Sequence, residues 1–159
     1  MKGTPACGRS PSVELPLSTN GSSPLKVLLL ALHTSDQTEF EVNESLEELG
    51  ELAASLGWRV VGNLVQQRPK PNPGTLFGAG KIDEIKALVQ QSGADAAIYD
   101  GLLSPSQGQT LERTLKVMVI DRTQLILDIF HRNARSRESR LQVELAQLEY
   151  MLPRLVGMW

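Results

Sequence analysis

Residues 25–32 read LKVLLLAL, a continuous apolar run of strand length, and an amphipathic stretch of helical period follows it. That pairing of a short aliphatic run with a helix decides the fold, because it recurs along the chain. Over residues 44–56, Leu46, Leu49, Leu52, Ala53 and Leu56 fall at helical spacing, and Gly57 is placed to end that helix as its C′ residue. Residues 58–65 predict a second strand. Residues 67–75, with Pro69, Pro71, Pro73 and Gly74, can form neither helix nor inner strand and read as a surface loop. A helix follows over 81–91, with Ile82, Ile85, Leu88 and Val89 inward and Gly93 at its end; residues 94–99 then predict a third strand running to Asp100. Ser104, Pro105 and Gln107 have the spacing of an N-cap, a first helical residue and the far side of a capping box. Residues 117–120 predict a fourth buried strand. Strands alternating with connections of helix length imply parallel pairing, so the fold class is α/β, with a four-stranded, mostly parallel sheet and flanking helices over residues 25–121.

The alternation stops at Asp121. Residues 123–152 contain no glycine or proline, and predict one long helix or two closely joined ones. Phe130, Ala134, Leu141, Leu145, Leu148, Leu152 and Leu155 follow a repeat close to 3.5, interrupted by Arg137. An apolar stripe of that length needs a partner helix. We therefore read residues 122–159 as one long helix, the first arm of a truncated antiparallel hairpin.

At the other end, fifteen of residues 1–24 are Ser, Pro, Gly, Thr or Asn, too polar to offset their ordering entropy by burial. They are expected to form a disordered tail, without the apolar segment of a signal peptide. Apolar residues make up 41% and charged residues 21% of the chain, a globular composition, and its longest purely aliphatic run, residues 27–32, is too short to span a bilayer. A single cysteine, Cys7, suits a reducing compartment and permits no internal disulfide. Cytoplasmic localisation is the expectation.

The net charge of −2 conceals a division along the chain. Residues 34–58 hold seven acids and no lysine or arginine, whereas residues 122–140 hold five arginines against Asp128 and Glu138. The acidic block reads as the solvated face of the first helix. Arg132, Arg135, Arg137 and Arg140 form either a solvated helix face or a phosphate-binding patch, since guanidinium groups suit bidentate contact with phosphate oxygens.

No catalytic constellation emerges. Residues 74–82 (GTLFGAGKI) resemble a P-loop but carry Thr75 where the first glycine belongs and Ile82 in place of the magnesium-binding Ser or Thr. A tight glycine turn feeding a helix N-terminus is the simpler reading, with Gly78, Gly80 and Lys81 as phosphate- or nucleotide-binding candidates. Asp100 and Asp121 end strands at the carboxyl edge of the sheet, where open α/β folds bind ligands, and serve equally well as turn or cap residues. His33 and His131 lack any recognisable nucleophile or carboxylate partner, and no metal site is expected.

Four segments taken together carry a specific resemblance: RPKPNPGTLFGAGKIDEI (68–85), YDGLLSPSQ (99–107), DRTQLILDIFHRNARSRE (121–138) and LQVELAQLEYMLPRL (141–155). From residue 25 onward the chain resembles the amino-terminal domain of the HflX family of translational GTPases. The resemblance implies a parallel α/β subdomain followed by two long antiparallel helices and a separate GTP-binding domain. It also implies binding to the large ribosomal subunit and its rRNA, in splitting or rescuing stalled ribosomes. Arg132, Arg135, Arg137 and Arg140 match the family's basic segment; Gly78, Gly80 and Lys81 match its glycine turn. The second long helix and the GTP-binding domain lie beyond these residues, so no catalytic residue, enzyme activity or cofactor is expected within this chain, GTP and Mg belonging to the missing domain. A separately encoded GTP-binding domain and a homodimer through the unpaired helix are the further partners this reading allows. The competing readings are a small nucleotide-binding α/β domain, and a non-functional fragment that self-associates.

Overall fold

The computed structural model describes residues 23–155. The tail reading for residues 1–24 therefore lies almost wholly outside the described residues, as do Cys7 and Trp159. The order of elements is β1 (Lys26–His33), α1 (Glu39–Ser55), β2 (Arg59–Gln67), α2 (Ala79–Ser92), β3 (Ala96–Tyr99), α3 (Pro105–Leu115), β4 (Met118–Asp121), α4 (Arg122–Asn133) and α5 (Arg137–Leu155). The four strands form one all-parallel sheet in the order β2-β1-β3-β4.

The unbroken apolar run of β1 has a direct cause: this inner strand is buried on both faces. Leu28, Leu30 and Leu32 pack toward Ile82, Ile85 and Val89 of α2 and Leu111 and Leu115 of α3. Val27, Leu29 and Ala31 pack toward Val42, Leu46, Leu49 and Ala53 of α1 and Leu125 of α4. Two cores thus sit on opposite sides of one sheet.

Local rules set most of the boundaries. α1 begins at Glu39, five residues before the sequence-based start, because Thr38 and Glu41 form a capping box. Gly57 takes the left-handed conformation after α1 (φ 78°), and Gly93 does the same after α2 (φ 66°). Ser104 caps α3 as its spacing predicts, with the Gln107 amide donating to its hydroxyl and the Gln107 side chain accepting from its amide.

The loop after β2 is more structured than its prolines imply. Asn72 and Leu76 exchange backbone hydrogen bonds, Leu76 adopts a positive φ of 64°, and Leu76 and Phe77 are both buried. The tight turn lies there rather than at the glycines, for Gly78 is an ordinary extended N-cap (φ −69°) and Gly80 lies inside α2.

The carboxy-terminal arm takes the second of its two expected forms. In place of a single long helix over residues 122–159, α4 stops at Asn133 and α5 starts at Arg137. Ala134 is extended (ψ 118°), and Ser136 opens the next helix by accepting from the Ser139 amide at 3.1 Å. The chain then doubles back, bringing Arg154 of α5 to Asp121 at the start of α4. Hence the stripe drawn from Phe130 to Leu155 is broken at the turn.

Ile98 is fully buried in β3, and Ile98→Ala is expected to cost about 2–5 kcal/mol. Ser104→Ala removes only a cap and is expected to cost about 1 kcal/mol. Urea denaturation of the two variants checks the ranking.

Candidate nucleic-acid interface

The four candidate arginines converge on the turn between α4 and α5. Arg132 lies in the last turn of α4, Arg135 in the connection, Arg137 at the first position of α5 and Arg140 one turn further. All four are exposed. The break at residues 134–136 folds what would be a linear helix face into a compact basic corner. Arg132 donates to the Ser55 carbonyl at 3.2 Å, so one guanidinium rests on the carboxyl end of α1, where the helix dipole favours a cation. Arg140 donates to the Ala134 carbonyl at 3.4 Å and braces the turn itself. Among the described residues, none of the four forms an ion pair with a carboxylate; the arginines that do are Arg122 and Arg154.

Arg135, Arg137 and Arg140 surround the positive end of α5, where cations are disfavoured and anions are bound. Mutual repulsion adds to that cost. An anion with several oxygens held by forked donors would relieve both, which is the geometry of a phosphate backbone.

The second set of candidates is elsewhere. Gly78, Gly80 and Lys81 open α2 at the carboxyl edge of the sheet, whereas α4 runs from that edge to the opposite one, so the two candidate sites occupy opposite ends of the domain. At Gly78 the backbone amide donates to Gln66 Oε1 at 2.9 Å, and the Arg68 Nη1 lies 2.7 Å from where a Cβ would stand. A side chain at this position would displace the Arg68 guanidinium, the mobile end of a long side chain, from the start of α2. Lys81 is paired with Glu84 at 3.0 Å. Arg68 is a residue that sequence reasoning missed, since nothing in the proline-rich run announces that its side chain returns to the start of α2.

The strand-end aspartates are structural. Asp100 holds Arg122 at 3.0 Å, and that guanidinium also reaches Glu48 at 2.9 Å and Ser45 at 3.0 Å. Burial lowers the Arg122 proton affinity, and the hydrogen bonds to Glu48 and Asp100 outweigh it, with a net upward shift. Asp121 is fully buried; it accepts from the amides of Gln124 and Leu103 and faces Arg154 at 3.5 Å. Arg154 in turn lies 3.5 Å from the Tyr150 ring centroid. Burial and the nearby Asp121 carboxylate push the Tyr150 phenol up. His33 bonds the Gln37 carbonyl at 2.9 Å, His131 is exposed, and among the described residues no group of three or more His, Cys, Asp or Glu could hold a metal ion. The acidic block is the exposed face of α1, as its spacing predicts.

A parallel α/β domain joined to a helical pair is seen at the amino terminus of certain GTP-binding proteins. The family described as GTP-binding GTPase N-terminal matches residues 43–131, and the GTP-binding GTPase Middle Region matches residues 133–159. The chain belongs to the HflX family, of which it carries amino-terminal and middle-region sequence. It is 41% identical to the GTPase HflX of Flavobacterium psychrophilum over 134 residues, covering 84% of this chain and 32% of that protein. Against the GTPase HflX of Escherichia coli the identity is 44% over 116 residues, covering 73% of this chain and 27% of the relative. The chain thus spans about a third of the length of the curated relatives it matches. A GTP-binding protein from the archaeon Sulfolobus solfataricus, solved in complex with GDP, superposes with a TM-score of 0.62 at 25% identity, covering 84% of this chain and 39% of that one.

Asp121→Ala strips the acceptor from two backbone amides and a guanidinium, and is expected to cost about 2–5 kcal/mol. Asp100→Ala leaves Arg122 its bonds to Glu48 and Ser45 and is expected to cost less. Thermal unfolding followed by circular dichroism measures both.

Proposed function

We propose that this domain is a ribosome-binding module that docks on the RNA of the large subunit through Arg132, Arg135, Arg137 and Arg140. The observation that carries this reading is the gathering of four exposed guanidinium groups, none paired with a carboxylate, at the positive end of α5. Family membership supports this choice of partner, since HflX proteins are translational GTPases, and the reading puts the domain in the cytoplasm beside the ribosome. The module would position a GTP-binding domain on a stalled or idle subunit during splitting or rescue. GTP and Mg would act in that domain; the 159 residues contain no GxxxxGK[ST] sequence, and no hydrolytic step is assigned to them.

A second reading keeps an anion or nucleotide phosphate at the start of α2. Arg68 and the glycine cradle at Gly78 favour it, and the pairing of Lys81 with Glu84 weighs against it.

Co-sedimentation with purified large ribosomal subunits tests the first reading. Between about 50 and 200 mM salt, binding is expected to fall steeply, and replacing all four arginines by alanine is expected to lower the slope of log K against log salt by about 3. Binding that is unchanged by the quadruple substitution would refute it. Micromolar ATP or GTP binding that is lost in Arg68→Ala, with no ribosome binding, would establish the second reading instead.

A further inference from the structure

A parallel sheet gathers all its strand starts at one edge, and in this domain that edge is basic. Across the sheet, in the order β2-β1-β3-β4, the residues standing there are Arg59, Lys26, Asp95 and Lys116. The three cations are exposed, and among the described residues none is paired with a carboxylate. Lys26 and Arg59 are register partners in β1 and β2, so their side chains leave the same face of the sheet from Cα atoms about 5 Å apart.

Lys116 stands where folding alone would favour another residue. It ends α3 in the left-handed conformation (φ 56°), the position that Gly93 fills at the end of α2 (φ 66°). A side chain is sterically disfavoured there, and glycine is the ordinary occupant.

The arginine corner is continuous with this row. Arg132 donates to the Ser55 carbonyl, and the Trp58 amide donates to the Ala53 carbonyl in the same last turn of α1 at 3.2 Å. The next amide, that of Arg59, donates to the Leu25 carbonyl at 2.7 Å, beside Lys26. The Lys26 ammonium in turn lies 3.8 Å from where a Cβ of Gly93 would stand. Basic groups thus run from the α4–α5 turn on one face of the sheet, around its amino edge, to the end of α2 on the other.

Helix dipoles do not account for all of them. The carboxyl ends of α1 to α4 lie at this edge with about −0.5 charge each, and Glu51, Asp95, Glu112 and Glu138 are the acids near it. With Arg113 in the last turn of α3 and the corner arginines the cations number eight, which leaves a surplus of about two positive charges. The opposite edge has the other sign: Asp36, Glu39, Glu41 and Glu44 lead into and open α1 with no lysine or arginine among them. A polyanion is steered to the amino edge.

We infer that the amino edge is a second phosphate-contacting surface, on which Lys26, Arg59 and Lys116 hold the backbone of the RNA that docks at the corner. This rests on the ribosome-binding reading and extends it: the RNA crosses the starts of the strands, and the acidic carboxyl edge is turned away from it.

Co-sedimentation with purified large ribosomal subunits over a range of salt, together with thermal unfolding, tests the inference. The triple variant Lys26→Ala, Arg59→Ala, Lys116→Gly is expected to lower the slope of log K against log salt by about 2 to 3. Lys116→Gly alone is expected to lower it by about 1 while the melting temperature holds or rises, because glycine relieves the left-handed strain. Lys70→Ala, on the exposed loop at the opposite edge, is expected to leave the slope unchanged. A triple variant with the wild-type slope, where replacing the four corner arginines does lower it, would overturn the inference and leave the ribosome-binding reading standing. No change in either variant would overturn both. An equal loss of slope in Lys70→Ala would also overturn the inference, as would a loss of binding in Lys116→Gly that tracks a fall in melting temperature.

Discussion

Two-sided burial of β1 is the constraint on which the rest of the structure depends. An inner parallel strand has no wet face, so every position from Val27 to Leu32 must find an apolar neighbour on alternating sides. That requirement places α1 and α4 on one face and α2 and α3 on the other, with the helix stripes at Leu46 and Leu49, and at Ile82 and Ile85, as complements. It also places the starts of α1 to α4 at the carboxyl edge of the sheet and the end of α1 at the opposite edge. The basic corner exists because α4 must run that same course before the chain reverses at residues 134–136.

The reversal itself rests on modest forces. An extended Ala134 and the hydroxyl of Ser136 suffice to end one helix and begin another, without glycine or proline. This small device has two effects. It concentrates guanidinium groups beside a helix N-terminus, and it turns α5 so that Val143, Ala146, Tyr150, Met151 and Arg154 are shielded while Leu141, Leu145, Leu148 and Leu152 are exposed. The less exposed side of α5 carries Val143, Ala146, Tyr150 and Met151 as well as Gln147 and Arg154, and hydrogen bonds made by Arg154 and Gln109 fix its far end.

Much of this was legible in the chain before any coordinates. Four strands, the caps at Gly57, Gly93 and Ser104, and the inward residues of α1 and α2 follow from period, length and terminal chemistry, because each of those signals acts within one turn or one strand. The basic segment was visible as charge, and its residues do come together. Less was visible where the cause is distant. The early start of α1 depends on Glu41 reaching back to Thr38, a signal present in the sequence but masked by the apolar stripe beginning later. The place of Arg68 against Gly78 and the burial of Leu76 and Phe77 beneath a proline-rich loop depend on packing against a neighbouring segment, for which no local pattern exists.

By itself, then, the sequence determined the α/β class, the parallel sheet and membership of its family, since hydrophobic period and motif order are properties of contiguous residues. Only the tertiary structure decided that the strand-end aspartates serve as anchors for Arg122 and Arg154, that the glycine cradle and the arginine corner lie at opposite ends, and that the leucines of α5 face outward. The physical reason is the same in each case. Which partner a charge finds, and which face a helix buries, are settled by what the chain brings back from far along its length, and that information is not written within one turn of the residue concerned.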